Sequence, residues 1–105
     1  MSDGHVLSEQ GGSVVVTPGV LAQIVQRATE SVDGARVRAR RPRRGLDLEV
    51  DDGRARVELD LSVRYGVVLP DLARDVQERV ATALVTMCGL EVEAVDVSIE
   101  ELEGA

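Results

Sequence analysis

Apolar and polar residues alternate most regularly between positions 46 and 65. Leu46, Leu48 and Val50 alternate with acids, Asp52-Gly53 follows, and Ala55, Val57, Leu59, Leu61, Val63 and Tyr65 then alternate with polar residues. A period of two predicts a pair of strands. Asp-Gly predicts a two-residue type I′ turn, in which both residues need positive φ. That turn sets a register: Val50 opposite Ala55, Leu48 opposite Val57, Leu46 opposite Leu59. All three pairs are apolar, so one face is core, with Tyr65 at its end. On the other face Asp51 meets Arg54 and Glu49 meets Arg56, each worth about 0.2–1 kcal/mol, while Asp47 opposite Glu58 is unfavourable.

The period changes to that of a helix on either side. Thr17-Pro18 is a start signal: the Thr hydroxyl accepts an orphan N–H, and Pro occupies the first turn without losing a bond. Val20, Leu21, Ile24, Val25, Ala28 and Val32 then form one face, and Gly34 stops the helix. Pro70 opens a second helix, with Leu72, Ala73, Val76, Val80, Leu84 and Met87 as its buried stripe and Gly89 as its end. Asp71 and Asp75 suit the positive end of its dipole. Val85 falls opposite that stripe, with Ala81 and Cys88 beside it.

The β-branched run 13–16 predicts a strand, and Val95, Val97 and Ile99 predict another over 92–99. Val92 is out of phase with these, which predicts a bulge or a late start. A short strand at 36–40 would place Val37 and Ala39 inward. Residues 1–12, rich in Ser, Gly, Asp and Gln, are expected to be a flexible tail, residues 13–100 the domain, and residues 101–105 an acidic fringe. The expected fold is α+β: a single two-layer domain of order β-α-(β)-β-β-α-β, with two helices on one face of a small mixed or antiparallel sheet.

Composition narrows the chemistry. The 105 residues include 19 Val and 11 Leu but one Tyr, no Phe and no Trp, so aliphatic side chains must build the core. One Cys permits no internal disulfide, and one His cannot support a His-rich metal site. No apolar run approaches the roughly 20 residues of a membrane span, and Met1-Ser2-Asp3-Gly4-His5 shows neither the basic region nor the apolar core expected of a signal peptide. No P-loop, EF-hand or dinucleotide fingerprint occurs. His5 has no Ser-acid partners in sequence, and Cys88 reads as a buried small residue at a helix end. No catalytic, cofactor or metal-ligating residue is assigned; the expectation is a protein that is not an enzyme and needs no cofactor.

The net charge of −7 conceals a polarity. All 12 basic residues are Arg, and six of them, Arg36, Arg38, Arg40, Arg41, Arg43 and Arg44, lie in nine positions without an acid. The rest of the chain carries −13. Guanidinium groups bind phosphates and carboxylates bidentately, so this cluster is the candidate site for an anionic partner. Nucleic acid is the alternative reading, disfavoured because aromatics for stacking are missing and the acidic body repels phosphate. Attraction between the basic segment and the acidic body, within one copy or between neighbours, is the simpler expectation. Ala81 and Val85 are the candidate protein contact.

Several stretches resemble one family in order. Residues 13–21, Ser-Val-Val-Val-Thr-Pro-Gly-Val-Leu, are similar to the opening strand and helix of the alkaline shock protein 23 family of bacterial envelope stress proteins. Val32-Asp33-Gly34-Ala35 resembles its helix exit. Residues 63–73, Val-Arg-Tyr-Gly-Val-Val-Leu-Pro-Asp-Leu-Ala, resemble its strand-to-helix signature, with Val76-Gln77 beyond. Residues 87–92, Met-Cys-Gly-Leu-Glu-Val, and Val95-Asp96-Val97 resemble its close. The resemblance covers residues 13–99. It implies a non-enzymatic α+β domain at the cytoplasmic face of the bacterial envelope, self-associating or recruited by a membrane-anchored envelope protein. The Arg cluster inherits no role from it.

Overall fold

The computed structural model of the chain describes residues 4–38 and 45–104. These residues form β1 (His5–Glu9), β2 (Gly12–Val16), α1 (Pro18–Glu30), β3 (Ala35–Val37), β4 (Leu46–Asp51), β5 (Arg54–Arg64), α2 (Leu69–Cys88) and β6 (Glu91–Glu103). Asp52 and Gly53 take φ of 51° and 74°, the positive values the turn demands. The β4–β5 register follows: Val50 opposite Ala55, Leu48 opposite Val57, Leu46 opposite Leu59, and Asp47 opposite Glu58.

Strand β5 is the axis of the sheet. β4 and β3 pair with the two ends of one edge, both antiparallel. β6 pairs with the whole of the other edge in parallel, so α2 serves as the crossover between them. The sheet is therefore mixed. The side chains of Ala55, Val57, Leu59, Leu61 and Val63 are at most 1% exposed. They meet Leu21 and Val25 of α1 and the line Leu72, Val76, Val80, Leu84, Cys88 of α2. Full burial of one Val or Leu stabilises by about 1.5–3 kcal/mol, so this single strand anchors the domain. The other sheet face is not covered by a helix. Thr29, buried in α1, donates its hydroxyl to the Val25 carbonyl at 2.8 Å and leaves no unmet donor.

Helix α1 starts as expected, with the Thr17 hydroxyl accepting from Val20 N–H at 3.4 Å. It ends at Glu30, earlier than the apolar spacing predicts, because Val32 N–H bonds to the Thr29 carbonyl three residues back in a tighter turn and the chain then turns through Gly34 at φ 90°. A Cβ at Gly34 would lie 3.1 Å from Val67. Helix α2 closes on Gly89 at φ 67°.

Four expectations need correction. Residues 5–9, assigned to a flexible tail, form β1, because the Gln10-Gly11 turn lets them pair with β2 from His5 opposite Val16 to Glu9 opposite Gly12. This hairpin is a separate two-stranded sheet, so the strand at 13–16 does not join the main sheet. Glu101–Glu103, assigned to an acidic fringe, continue β6. The Ser62 hydroxyl bonds the Glu101 and Glu103 carboxylates at 3.0 and 2.6 Å, and Tyr65 N–H donates to the Glu103 carbonyl. Finally, Tyr65 and Met87, both placed in the core, are 61% and 63% exposed. β5 ends at Arg64, and the turn at Gly66 carries the Tyr65 ring away. The buried line of α2 advances by four residues to Cys88, which leaves Met87 at the surface.

Candidate interaction surfaces

The Arg cluster begins on β3, whose Val37 is buried while Arg36 faces solvent. Arg36 reaches Glu103 at 3.9 Å and Arg38 reaches Glu100 at 3.8 Å. The structure thus brings the first two members of the cluster to carboxylates of β6, in pairs worth at most about 1 kcal/mol each at such exposure. Arg40, Arg41, Arg43 and Arg44 lie outside the described residues, as does Ala39. The two ends of that segment are fastened: Arg38 N–H donates to the Asp60 carbonyl, Gly45 N–H to the Arg38 carbonyl, and Asp60 N–H to the Gly45 carbonyl.

The uncovered sheet face is a ladder of charge. At one end Arg54 pairs with Glu91 at 3.5 Å and Arg56 with Glu93 at 3.6 Å. In the middle Asp47 stands opposite Glu58, and Glu58 opposite Asp96, so three carboxylates cross three strands in a row. None of the three makes a salt bridge among the described residues. The hairpin register predicts the first pair. The third carboxylate is legible only as Asp96 alternating with Val95 and Val97, since its partner depends on a parallel register set through a crossover.

On the helical side, Ala81 and Val85 both lie on α2, and Val85 is half exposed. They are one and two turns beyond Gln77, whose amide donates to the Val95 carbonyl of β6 at 3.0 Å. Because α2 runs antiparallel to β6, this places Gln77 above Val95, with Ala81 and Val85 toward the Glu91 end of the strand. The opposite side of α2 forms a shallow groove with α1, of about 390 Å³, lined by Val20, Ile24, Ala28, Ala83 and Met87. Sequence reasoning misses that groove because Met87 fits the core stripe by spacing.

Two further groups have defined surroundings. Arg64 donates twice to the Asp33 carboxylate, at 3.1 and 2.9 Å, tying the turn after α1 to the end of β5. These hydrogen bonds, and then the charge attraction, hold the Asp33 carboxyl below its usual range. Burial raises the Cys88 thiol above its ordinary value. Among the described residues no cluster of three or more His, Cys, Asp or Glu side chains suits a metal ion, and no helix is long and apolar enough to cross a membrane. His5 sits on β1 opposite Val16.

Residues 6–103 match the family model of the alkaline shock protein 23 family, described as having a cell envelope-related function. No curated protein and no solved structure matches the chain.

Proposed function

The chain belongs to the alkaline shock protein 23 family, and from that premise we propose that it is a non-catalytic envelope-homeostasis protein that works by binding other proteins at the cytoplasmic face of the membrane. The family's cell envelope-related function supports the setting. The observation that carries association is the apolar surface left open on both sides of α2. Val20 and Met87 are exposed at the groove with α1, and Val85 is exposed on the far side. An exposed apolar side chain alone needs no explanation; Val20 and Met87 at one groove, with Val85 across the helix, support contact through α2. The partners are a membrane-anchored envelope protein, other copies of this chain, or both.

Nucleic-acid binding by the Arg cluster is the weaker reading. Arg36 and Arg38 face carboxylates of their own chain, and a bound phosphate backbone would lie against Glu100 and Glu103. Co-purification from the native host tests the proposal. A membrane protein captured with the chain, together with an envelope defect on deletion, is the expected result. Neither capture nor defect would overturn it. A flat titration against duplex DNA and RNA at low salt is expected in parallel.

A further inference from the structure

We infer that the outer edge of β6 over Ala94–Ile99, beside Gln77 of α2, takes an extended segment of a partner protein whose side chains alternate between basic and apolar. The inference deepens the association reading above and rests on it.

Three observations converge on this edge. First, among the described residues β6 pairs only with β5, so its far side offers a row of backbone N–H and C=O groups. Register shifts at Glu93 and Glu100 bound a regular stretch between them. The Gln77 amide already bonds the Val95 carbonyl, in the way an incoming strand's N–H would. Residues whose backbone points to one edge recur every second position, so Val97 and Ile99 present theirs on the same side.

Second, the core beneath this edge is unfinished. Val95, Val97 and Ile99 are only partly buried, whereas their neighbours Val57, Leu59 and Leu61 on β5 are at most 1% exposed. An added strand with apolar inward side chains would bury them.

Third, the charge pattern selects the outward side chains. The row Asp47, Glu58, Asp96 ends at this edge with no salt bridge to any of the three among the described residues. The next position in the row belongs to the missing strand, and a basic residue there answers Asp96. Glu93 and Glu100 flank it and already accept Arg56 and Arg38. The chain shows the same chemistry on its own sheet: in Arg36-Val37-Arg38, Val37 is buried while Arg36 and Arg38 meet acids. A second copy's β6 is a poor occupant, because it would bring the same acids to the edge.

The test is titration of the isotope-labelled full chain with a blocked synthetic peptide repeating Arg-Val. Amide shifts confined to residues 94–99, with methyl shifts at Val95, Val97 and Ile99, are expected. A peptide of the same composition with its Arg and Val in separate blocks should bind at least about fivefold more weakly. Asp96→Lys should weaken binding of the alternating peptide by about fivefold, the equivalent of one favourable cross-strand pair. Because Asp96→Lys also relieves Glu58, it should not lower the melting temperature, so lost binding will not reflect lost folding.

Shifts centred on the α1–α2 groove, equal binding of the block peptide, or unchanged binding by Asp96→Lys would each overturn the inference. So would pairing of the chain with itself through residues 94–99. Co-purification separates the two levels. If Asp96→Lys still captures the membrane partner, this edge is wrong and association stands. If the natural sequence captures nothing, association itself fails.

Discussion

Replacing the central carboxylate of the acidic row should stabilise the protein. Glu58 stands between Asp47 and Asp96 with no salt bridge among the described residues. Directly opposed side chains in a sheet lie about 5 Å apart. Two like charges at that distance repel by about 0.8 kcal/mol in bulk water, and physiological salt screens that by roughly half. Glu58→Gln removes two such repulsions, an expected gain of about 0.5–1 kcal/mol. Glu58→Arg converts both to attractions and should gain about twice as much. With a urea dependence of at least about 1 kcal/mol per molar, Glu58→Gln should raise the unfolding midpoint by up to about 1 M. Equilibrium urea unfolding at low and at molar salt is the assay. The gain should shrink as salt rises, because all three carboxylates are exposed. A midpoint that does not rise, or a gain indifferent to salt, would refute the reasoning and remove the electrostatic argument for a basic strand beside Asp96.

Other consequences concern the ends of the Arg segment, the turn clamp and the thiol. Gly45→Ala should destabilise by about 1–3 kcal/mol, because a Cβ would sit 2.7 Å from both the Arg38 and Asp60 carbonyls and disturb the hydrogen bonds that join them; a melting temperature within a degree or two of the natural protein's would contradict this. Asp33 has a lowered folded pKa, so its contribution to stability is complete above the ordinary carboxylate range and fades as pH falls below it. Asp33→Asn should therefore cost stability at neutral pH, with the difference vanishing in acid; a constant difference across that range would argue against the Arg64 clamp. Cys88 should react slowly with a thiol reagent in the folded protein and rapidly in denaturant, since it is 1% exposed and its thiol is held protonated by burial.

Much of the interior was legible from local rules. The hairpin is the clearest case, because an Asp-Gly turn and a period of two leave one register that puts all apolar side chains on one face. The helix starts at Thr17-Pro18 and Pro70 and the stop at Gly89 are equally local, since caps and special φ values are properties of single residues. Val92 falling out of phase correctly announced the irregularity at Glu93. The misassignments came where spacing alone decided. Met87 matches a helical stripe, but whether a matching residue is covered depends on where the other helix begins. Tyr65 extends an alternation beyond the residue at which its strand stops.

What only the tertiary structure decided is who stands beside whom. The parallel pairing of β6 with β5 is set through a 20-residue helix, and nothing in the sequence of either strand specifies that register. Yet it aligns Asp96 with Glu58, brings Glu100 and Glu103 to Arg38 and Arg36, and among the described residues leaves one edge of the sheet open beside Gln77. The sequence by itself determined a two-layer α+β domain with an aliphatic core and a divided charge, because burial and periodicity act residue by residue. The location of the open edge and of the unanswered carboxylate are long-range facts, and they exist only once the chain has folded.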